Sequence, residues 1–79
     1  MVTRNEILTN EWSEVALSLV SNSSNYPVEF WVGTVEPLAT EVGHILRPNL
    51  GFKASDFTEG SFFWFKSATN VPVKITVTE

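Results

Sequence analysis

The sequence predicts an all-β fold, a small antiparallel β-sandwich or jelly-roll-like domain. Two patterns carry that reading. At the C-terminal end Val71, Val73, Ile75 and Val77 alternate with Lys74, Thr76 and Thr78, the period-two signature of a half-buried strand. Elsewhere short runs rich in Val, Ile, Phe and Trp are bounded by Ser, Asn, Pro and Gly, the punctuation of strands and turns. Size bounds the rest: 79 residues make one domain, and so short a chain buries only about 60–65% of the surface its unfolded state exposes. With no cysteine available, disulfides are ruled out as a supplement to so thin a core and a zinc site is disfavoured, which leaves oligomerisation or docking on something larger.

Residues 1–10 show no packed pattern and are expected to form an N-terminal arm that orders on binding, with residues 11–79 forming the single β-sandwich domain. Between residues 5 and 20, Leu8, Trp12, Val15 and Leu19 fit helical spacing, with Asn5 placed to cap a helix, while Val15, Leu17 and Leu19 alternate as a strand does. A strand is expected, because the segment leads straight into the Ser-Asn-Ser-Ser-Asn turn chemistry of residues 21–25 and the rest of the chain is β. The segment Tyr26-Pro-Val-Glu-Phe-Trp-Val-Gly33 reads as the next strand, with Val28, Phe30 and Val32 on one face. After a mixed loop containing Pro37 comes the short strand Val42-Gly-His-Ile-Leu46, stopped by a tight turn at Pro48-Asn-Leu-Gly51. Phe52-Lys-Ala54 starts one more short strand. The aromatic run Ser61-Phe-Phe-Trp-Phe-Lys66 and the C-terminal strand are expected to pair as a hairpin through residues 67–70, and Pro72 belongs at a strand's start or edge.

Composition excludes more function classes than it supports. Five Lys plus Arg against nine Asp plus Glu give a net charge of −4 with no basic cluster, so a phosphate-tracking nucleic-acid surface is not expected. No run approaches the ~18 apolar residues of a membrane span, and no signal-type apolar region follows Arg4. The chain is expected to be soluble, and the lack of cysteine fits a cytoplasmic site of synthesis. Catalysis needs a nucleophile with a base, paired carboxylates or a metal cluster. His44 is the single histidine, with no Asp or Ser at a motif-like spacing, and reads as a rim histidine packing its ring. The four glycines fit no phosphate-binding pattern. Glu36, Glu41, Asp56 and Glu59 lack the alternating donors of a calcium loop and read as solvated charges. No catalytic, cofactor or metal site is therefore expected.

The aromatics are the informative group. Six Phe, three Trp and one Tyr make 13% of the chain. In a strand Phe62 and Trp64 point to one side and Phe63 and Phe65 to the other, and Phe30 and Trp31 repeat that division. One aromatic face serves the core, and the other needs a cover: a second protein chain, or the N-terminal segment with Trp12 lying over it. The favoured assignment makes Trp12, Trp31, Phe63 and Phe65 the interface and Phe30, Phe62, Trp64 and Ile75 the core, with the swapped assignment of faces left open. Glu59 and Lys66 flank the aromatic run as gatekeepers against aggregation. A base-stacking platform would need accompanying cations, and Lys66 is the one near in sequence.

The order of features resembles a loose family of small virion-associated proteins of tailed bacteriophages. The resemblance is carried by Leu8-Thr-Asn-Glu-Trp-Ser-Glu-Val15, Phe30-Trp-Val-Gly33, Val42-Gly-His-Ile-Leu46, Pro48-Asn-Leu-Gly51, and Phe62-Phe-Trp-Phe65 followed by Val73 to Val77. It spans nearly the whole chain, contains no catalytic signature, and departs from the family in the density of Phe-Phe-Trp-Phe. What it implies is a compact β-sandwich or jelly-roll-like unit on the virion, a capsid decoration, cementing or head-fibre protein bound to the major capsid protein or another virion protein. A homotrimer is the oligomer such proteins commonly form. The acidic balance favours the outside of the shell. The reading from a different class is a tail- or fibre-associated host-recognition domain that stacks an aromatic on a glycan or receptor.

Overall fold

The computed structural model describes residues 2–58 and 60–79. Its strands are β1 (Thr3–Leu8), β2 (Ser13–Glu14), β3 (Leu19–Asn22), β4 (Val28–Gly33), β5 (His44–Leu46), β6 (Gly51–Lys53), β7 (Phe62–Ser67) and β8 (Val73–Thr78), with a single 3₁₀ turn at Ala54–Asp56. They form two four-stranded sheets. Sheet A has the order β1-β8-β3-β6 and sheet B the order β2-β7-β4-β5, and every pairing is antiparallel.

This order is that of a jelly roll. The pairs β1·β8, β2·β7, β3·β6 and β4·β5 nest inside one another, as though the whole chain were one long hairpin turning between β4 and β5. Rolling that hairpin up brings β8 beside β3 and β7 beside β4, which completes the two sheets. Among the described residues β4 and β5 are the one consecutive pair to share a sheet; each other connection crosses the sandwich.

That topology corrects the expected hairpin between the aromatic run and the C-terminal strand. β7 lies in sheet B and β8 in sheet A. The link between them is a corner, tied by the buried Ser67. Its hydroxyl accepts the Thr69 N–H and lies 2.7 Å from the Val71 carbonyl, while its N–H donates to the Thr9 carbonyl. Prolines stand at such corners: Pro27 before β4, Pro48 between β5 and β6, Pro72 before β8. Arg47 to Leu50 close a tight turn in which Leu50 N–H donates to Arg47 O, with Pro48 second and Asn49 third at φ 67°. That is the arrangement of a type II turn, whose third position favours Gly or Asn.

The ambiguous N-terminal part is strand throughout, in three pieces. The expected arm contains β1, which pairs with β8 over six residue pairs and buries Leu8, so the sandwich begins at Thr3 and not at residue 11. Its inward-facing positions are Arg4, Glu6 and Leu8, opposite Val77, Ile75 and Val73. Arg4 and Glu6 sit at the rim and satisfy each other: Arg4 Nε donates to Glu6 Oε1 at 2.6 Å and Nη1 reaches Glu79 at 2.8 Å. These partners, the Glu6 hydrogen bond above all, raise the guanidinium's pKa further above its ordinary value.

The core lies between the sheets. Val20, Val73, Ile75 and Val77 of sheet A face Val28, Leu46, Phe63 and Phe65 of sheet B, joined by Phe30, Phe52 and Phe57 in a connected set of rings with centroids 4.9 to 6.5 Å apart. Val28, Phe30 and Val32 share the inner face, as the alternation predicts. Among the described residues one polar side chain enters this region fully, Asn22. Its amide donates to the Tyr26 and Leu46 carbonyls at 2.8 and 2.9 Å, and its own carbonyl accepts the N–H and hydroxyl of Ser24, so every bond it can make is made.

Candidate functional site

The two outward faces differ in chemistry, because the chain places different residues at the non-core parity of each sheet. Outside sheet A the register sets Thr3 opposite Thr78 and Asn5 opposite Thr76, with Ser21 on the other flank of Thr76. Their side chains bond along the surface: Thr3 to Thr78 at 2.9 Å, Thr76 to Asn5 at 3.1 Å and to Ser23 at 3.2 Å. This is a hydroxyl and amide ladder, interrupted by exposed Ile7 and Leu19.

Outside sheet B the same geometry sets Trp64 opposite Trp31 and Phe62 opposite Gly33. Trp12, just before β2, crosses over β7, so that its ring meets Trp31 edge-on with centroids 6.3 Å apart. Lys66 Nζ lies 4.7 Å from the Trp12 centroid, a cation–π contact, and 3.9 Å from Glu29 Oε2. Both ends of that ion pair are only 13% exposed. The connection of residues 34–43 folds back over these groups. Leu38 O accepts from the Trp12 indole N–H at 3.2 Å, and Glu29 Oε1 accepts the Gly43 N–H at 3.1 Å. The aromatic outer face is therefore partly covered from within, by Trp12 and by this loop.

The expected division of the aromatics is reversed along β7. Phe65 and Phe63, expected at the interface, are 0% and 7% exposed and form the core with Phe52, whose ring stacks on Phe65 at 11°. Phe62, expected in the core, is 47% exposed on the outer face, edge-on to Trp64 at 6.0 Å. Trp64 is buried as expected, but on the outer face, opposite Trp31 in the ladder and against the Phe62 ring. Trp31 and Trp12 do lie on the outer face, Trp31 half-buried and Trp12 nearly closed off. Phe30 and Ile75 are in the core. Four consecutive aromatics give no phase to the alternation, so the reversal is fixed by tertiary packing, in which Phe63 and Phe65 join Val73, Ile75 and Val77 of sheet A in the core.

Much of what remains open on this side is apolar, although Glu14 of β2 and Glu36 of the loop are exposed there too. Phe62, Ile45 of β5, and Leu38 and Val42 of the covering loop are exposed, and Trp31 lies half-exposed among them. Gly43 is the point at which the loop meets the sheet. A Cβ there would run into the Phe30 carbonyl and come within 2.8 Å of the Trp12 ring. Gly43→Ala is accordingly expected to lift the loop off the indole, with a loss of about 1–3 kcal/mol and a red shift of tryptophan emission. Unchanged emission with unchanged stability would show that the loop is not seated as described.

His44 packs its ring on Phe30 at 5.3 Å and is otherwise exposed at the rim. Glu36 and Glu41 lie on the covering loop and Asp56 on the 3₁₀ turn; Glu59 lies outside the described residues. Among the described residues no three His, Cys, Asp or Glu side chains gather to hold a metal, and no helix is long and apolar enough to cross a membrane. Lys66, expected as a gatekeeper at the flank of the aromatic run, is drawn instead under the loop against Trp12.

The covering loop is the part of the site that sequence reasoning missed. Its signal is present in Val42-Gly43, a glycine beside an exposed apolar residue directly before a strand, but the need for glycine comes from Trp12, far away in sequence. No protein-family model matches this chain, and neither the curated proteins nor the solved structures contain one similar enough to count as a match.

Proposed function

We propose that this chain is a non-enzymatic virion structural protein of a tailed bacteriophage, a capsid decoration or cementing protein that binds the outside of the assembled shell. The observation that carries the reading is the asymmetry of the two outer faces. One is mainly a hydrogen-bonded ladder of small polar residues, with Ile7 and Leu19 set singly into it. The other presents Phe62, Trp31, Ile45, Leu38 and Val42 around a buried aromatic and ion-paired centre, the pattern of a protein-docking surface with aromatic anchors. The jelly-roll order agrees with it by analogy, since viral shell proteins use this architecture, as do lectins. The partner is the major capsid protein or another repeated virion protein, and the net charge of −4 suits the outer surface better than the DNA-lined interior.

Purified protein mixed with shells of the phage that encodes it is expected to co-sediment and to saturate at a regular copy number. Phe62→Ser is expected to abolish co-sedimentation while costing less than about 1 kcal/mol of stability, as an exposed-site change does. A folded wild-type protein that stays in the supernatant would sink the proposal.

One observation favours the host-recognition alternative. The groove beside Trp12 is lined by Asn10, Glu11, Glu36, Pro37 and Ala39, an indole with amide and carboxylate neighbours, which is sugar-binding chemistry. That reading expects a monosaccharide or oligosaccharide panel to quench tryptophan emission saturably, and the capsid reading expects no such effect.

A further inference from the structure

We infer that the free edge of β1 is a self-complementary docking strand, which pairs antiparallel with β1 of a second copy across a two-fold axis at Asn5. The inference rests on the backbone and charge pattern of sheet A and stands apart from the virion reading.

The backbone directions come first. Among the described residues β1 ends sheet A and pairs with β8 alone. The Val2 carbonyl accepts the N–H of Glu79, directly opposite in this register, at 3.0 Å. Opposed residues in an antiparallel ladder alternate between bonded and non-bonded pairs. Arg4, Glu6 and Leu8 therefore turn their N–H and C=O groups toward β8, and Thr3, Asn5 and Ile7 turn theirs to the open edge. The far side of the sheet agrees. Asn22 N–H donates to Leu50 O on the β6 side at 2.8 Å, so Leu19 and Ser21 bond to Thr78 and Thr76 of β8, leaving Val73, Ile75 and Val77 to bond β1.

This edge is also the one long enough to matter. β1 runs six residues, whereas β2, β5 and β6, which form the other three edges, run two or three. An open edge of that length is a template for another strand.

Register then follows from charge. A second β1 completes a ladder only where its own outward residues meet Thr3, Asn5 and Ile7. Centring the pair on Arg4 sets Arg4 against Arg4 of the second copy, and centring it on Glu6 sets Glu6 against Glu6, each with one outward residue left over. Centring it on Asn5 uses all three: Thr3 meets Ile7 of the second copy, Asn5 meets Asn5, and Ile7 meets Thr3. Between them Arg4 falls opposite Glu6 and Glu6 opposite Arg4. Opposite charges facing across a ladder stabilise it and like charges destabilise it, and these are the non-bonded positions, at which side chains are closest. Arg4 and Glu6 already share one face within each copy, 2.6 Å apart, so the dimer extends that pair to a ring of alternating charges. Charged residues turned inward on an edge strand ordinarily discourage pairing. Here they disfavour the registers centred on Arg4 and Glu6 and support the one centred on Asn5. The product is an isologous dimer with a continuous eight-stranded sheet, in place of the trimer that the family resemblance suggests.

Sedimentation velocity from micromolar to millimolar concentration tests this. The wild type is expected to pass from monomer to dimer. Arg4→Glu and Glu6→Arg are each expected to weaken dimerisation at least about tenfold, because each sets like charges opposite one another. An equimolar mixture of the two variants is expected to dimerise again, as a heterodimer, since one then carries two acids at these positions and the other two bases. Asn5→Pro removes an N–H that faces the open edge and leaves the β8 ladder intact; it is expected to yield a folded monomer, and it decides the matter should a charge reversal disturb folding. A wild type that is monomeric throughout, an oligomer unchanged by Asn5→Pro, or a mixture of reversals that stays monomeric would each overturn the inference.

Discussion

Phe65→Ser is expected to unfold the protein, not to release a folded subunit from an assembly. The Phe65 side chain is fully buried between the sheets, with Phe52 stacked at 6.2 Å and Phe30 at 6.4 Å. Removing a buried phenyl ring costs about 3–5 kcal/mol, and the serine hydroxyl left in that space has no partner to replace water. A 79-residue domain has little to spare: at roughly 0.05–0.15 kcal/mol per residue its whole stability is of the same order as the loss. Circular dichroism at 25 °C should show loss of the β signal, and Phe62→Ser measured beside it should melt close to the wild type. Equal effects of the two substitutions would mean that the inner and outer faces of β7 are assigned wrongly.

Asn22→Asp is expected to be nearly as damaging, although it changes one group. Asn22 is fully buried and its Nδ2 serves two carbonyls, those of Tyr26 and Leu46. A carboxylate sets an acceptor against both, leaving a buried charge without a donor on that side. The expected loss at neutral pH is about 3–5 kcal/mol, the range for an uncompensated buried charge. Asn22→Ala, which leaves the two carbonyls unsatisfied but adds no charge, is expected to cost about 2–4 kcal/mol, about 1–3 for each group left unbonded less what the strand can recover by relaxing. Urea denaturation of the three proteins gives the comparison, and the order wild type, Ala, Asp is the result to look for. Asn22 earns this weight by position: it ends β3 in sheet A and reaches Leu46 in sheet B, so its side chain is a strut between the layers.

How much of this the sequence discloses varies with the element, for physical reasons. β8 is legible because its inner positions are Val73, Ile75 and Val77 and its outer ones Lys74, Thr76 and Thr78, with no exception. The inner face of β4 and the turn at Pro48-Asn49 are legible for the same reason, that the local residues alone dictate them. β1 is not, because Arg4 and Glu6 take inner positions at the rim, where β2 is too short to cover them, and the strand then reads as polar on both sides. The β7 to β8 connection misleads because a hairpin loop and a sandwich corner have the same length and the same Ser, Thr and Asn; the choice depends on Ser67, whose N–H is held by Thr9 at the other end of the chain. The aromatic run announces two loaded faces but not which is which. Burial of Trp12 under the loop of residues 34–43 depends on contacts between segments far apart in sequence, to which periodicity is blind.

The two proposed surfaces are compatible. Edge pairing through β1 uses sheet A, and it leaves the outer face of sheet B free on both copies, facing the same way to the extent that the joined sheet is flat. Two modest apolar patches held in one rigid dimer bind a repeated surface more tightly than either does alone, so dimerisation would strengthen shell binding without adding a contact to it. Asn5→Pro should then weaken co-sedimentation with shells as well as dimerisation, while Phe62→Ser should abolish co-sedimentation and leave dimerisation unchanged.

Electron-microscopic reconstruction of intact virions carrying this chain is the most direct test of the proposed capsid-decoration role. A decoration protein of this design is expected to give regularly spaced density on the outside of the shell that fits the two-layer module, with sheet B and Phe62 against the capsid and the hydroxyl ladder of sheet A turned to solvent. Particles without such density, or a module seated on the shell through sheet A, would contradict it.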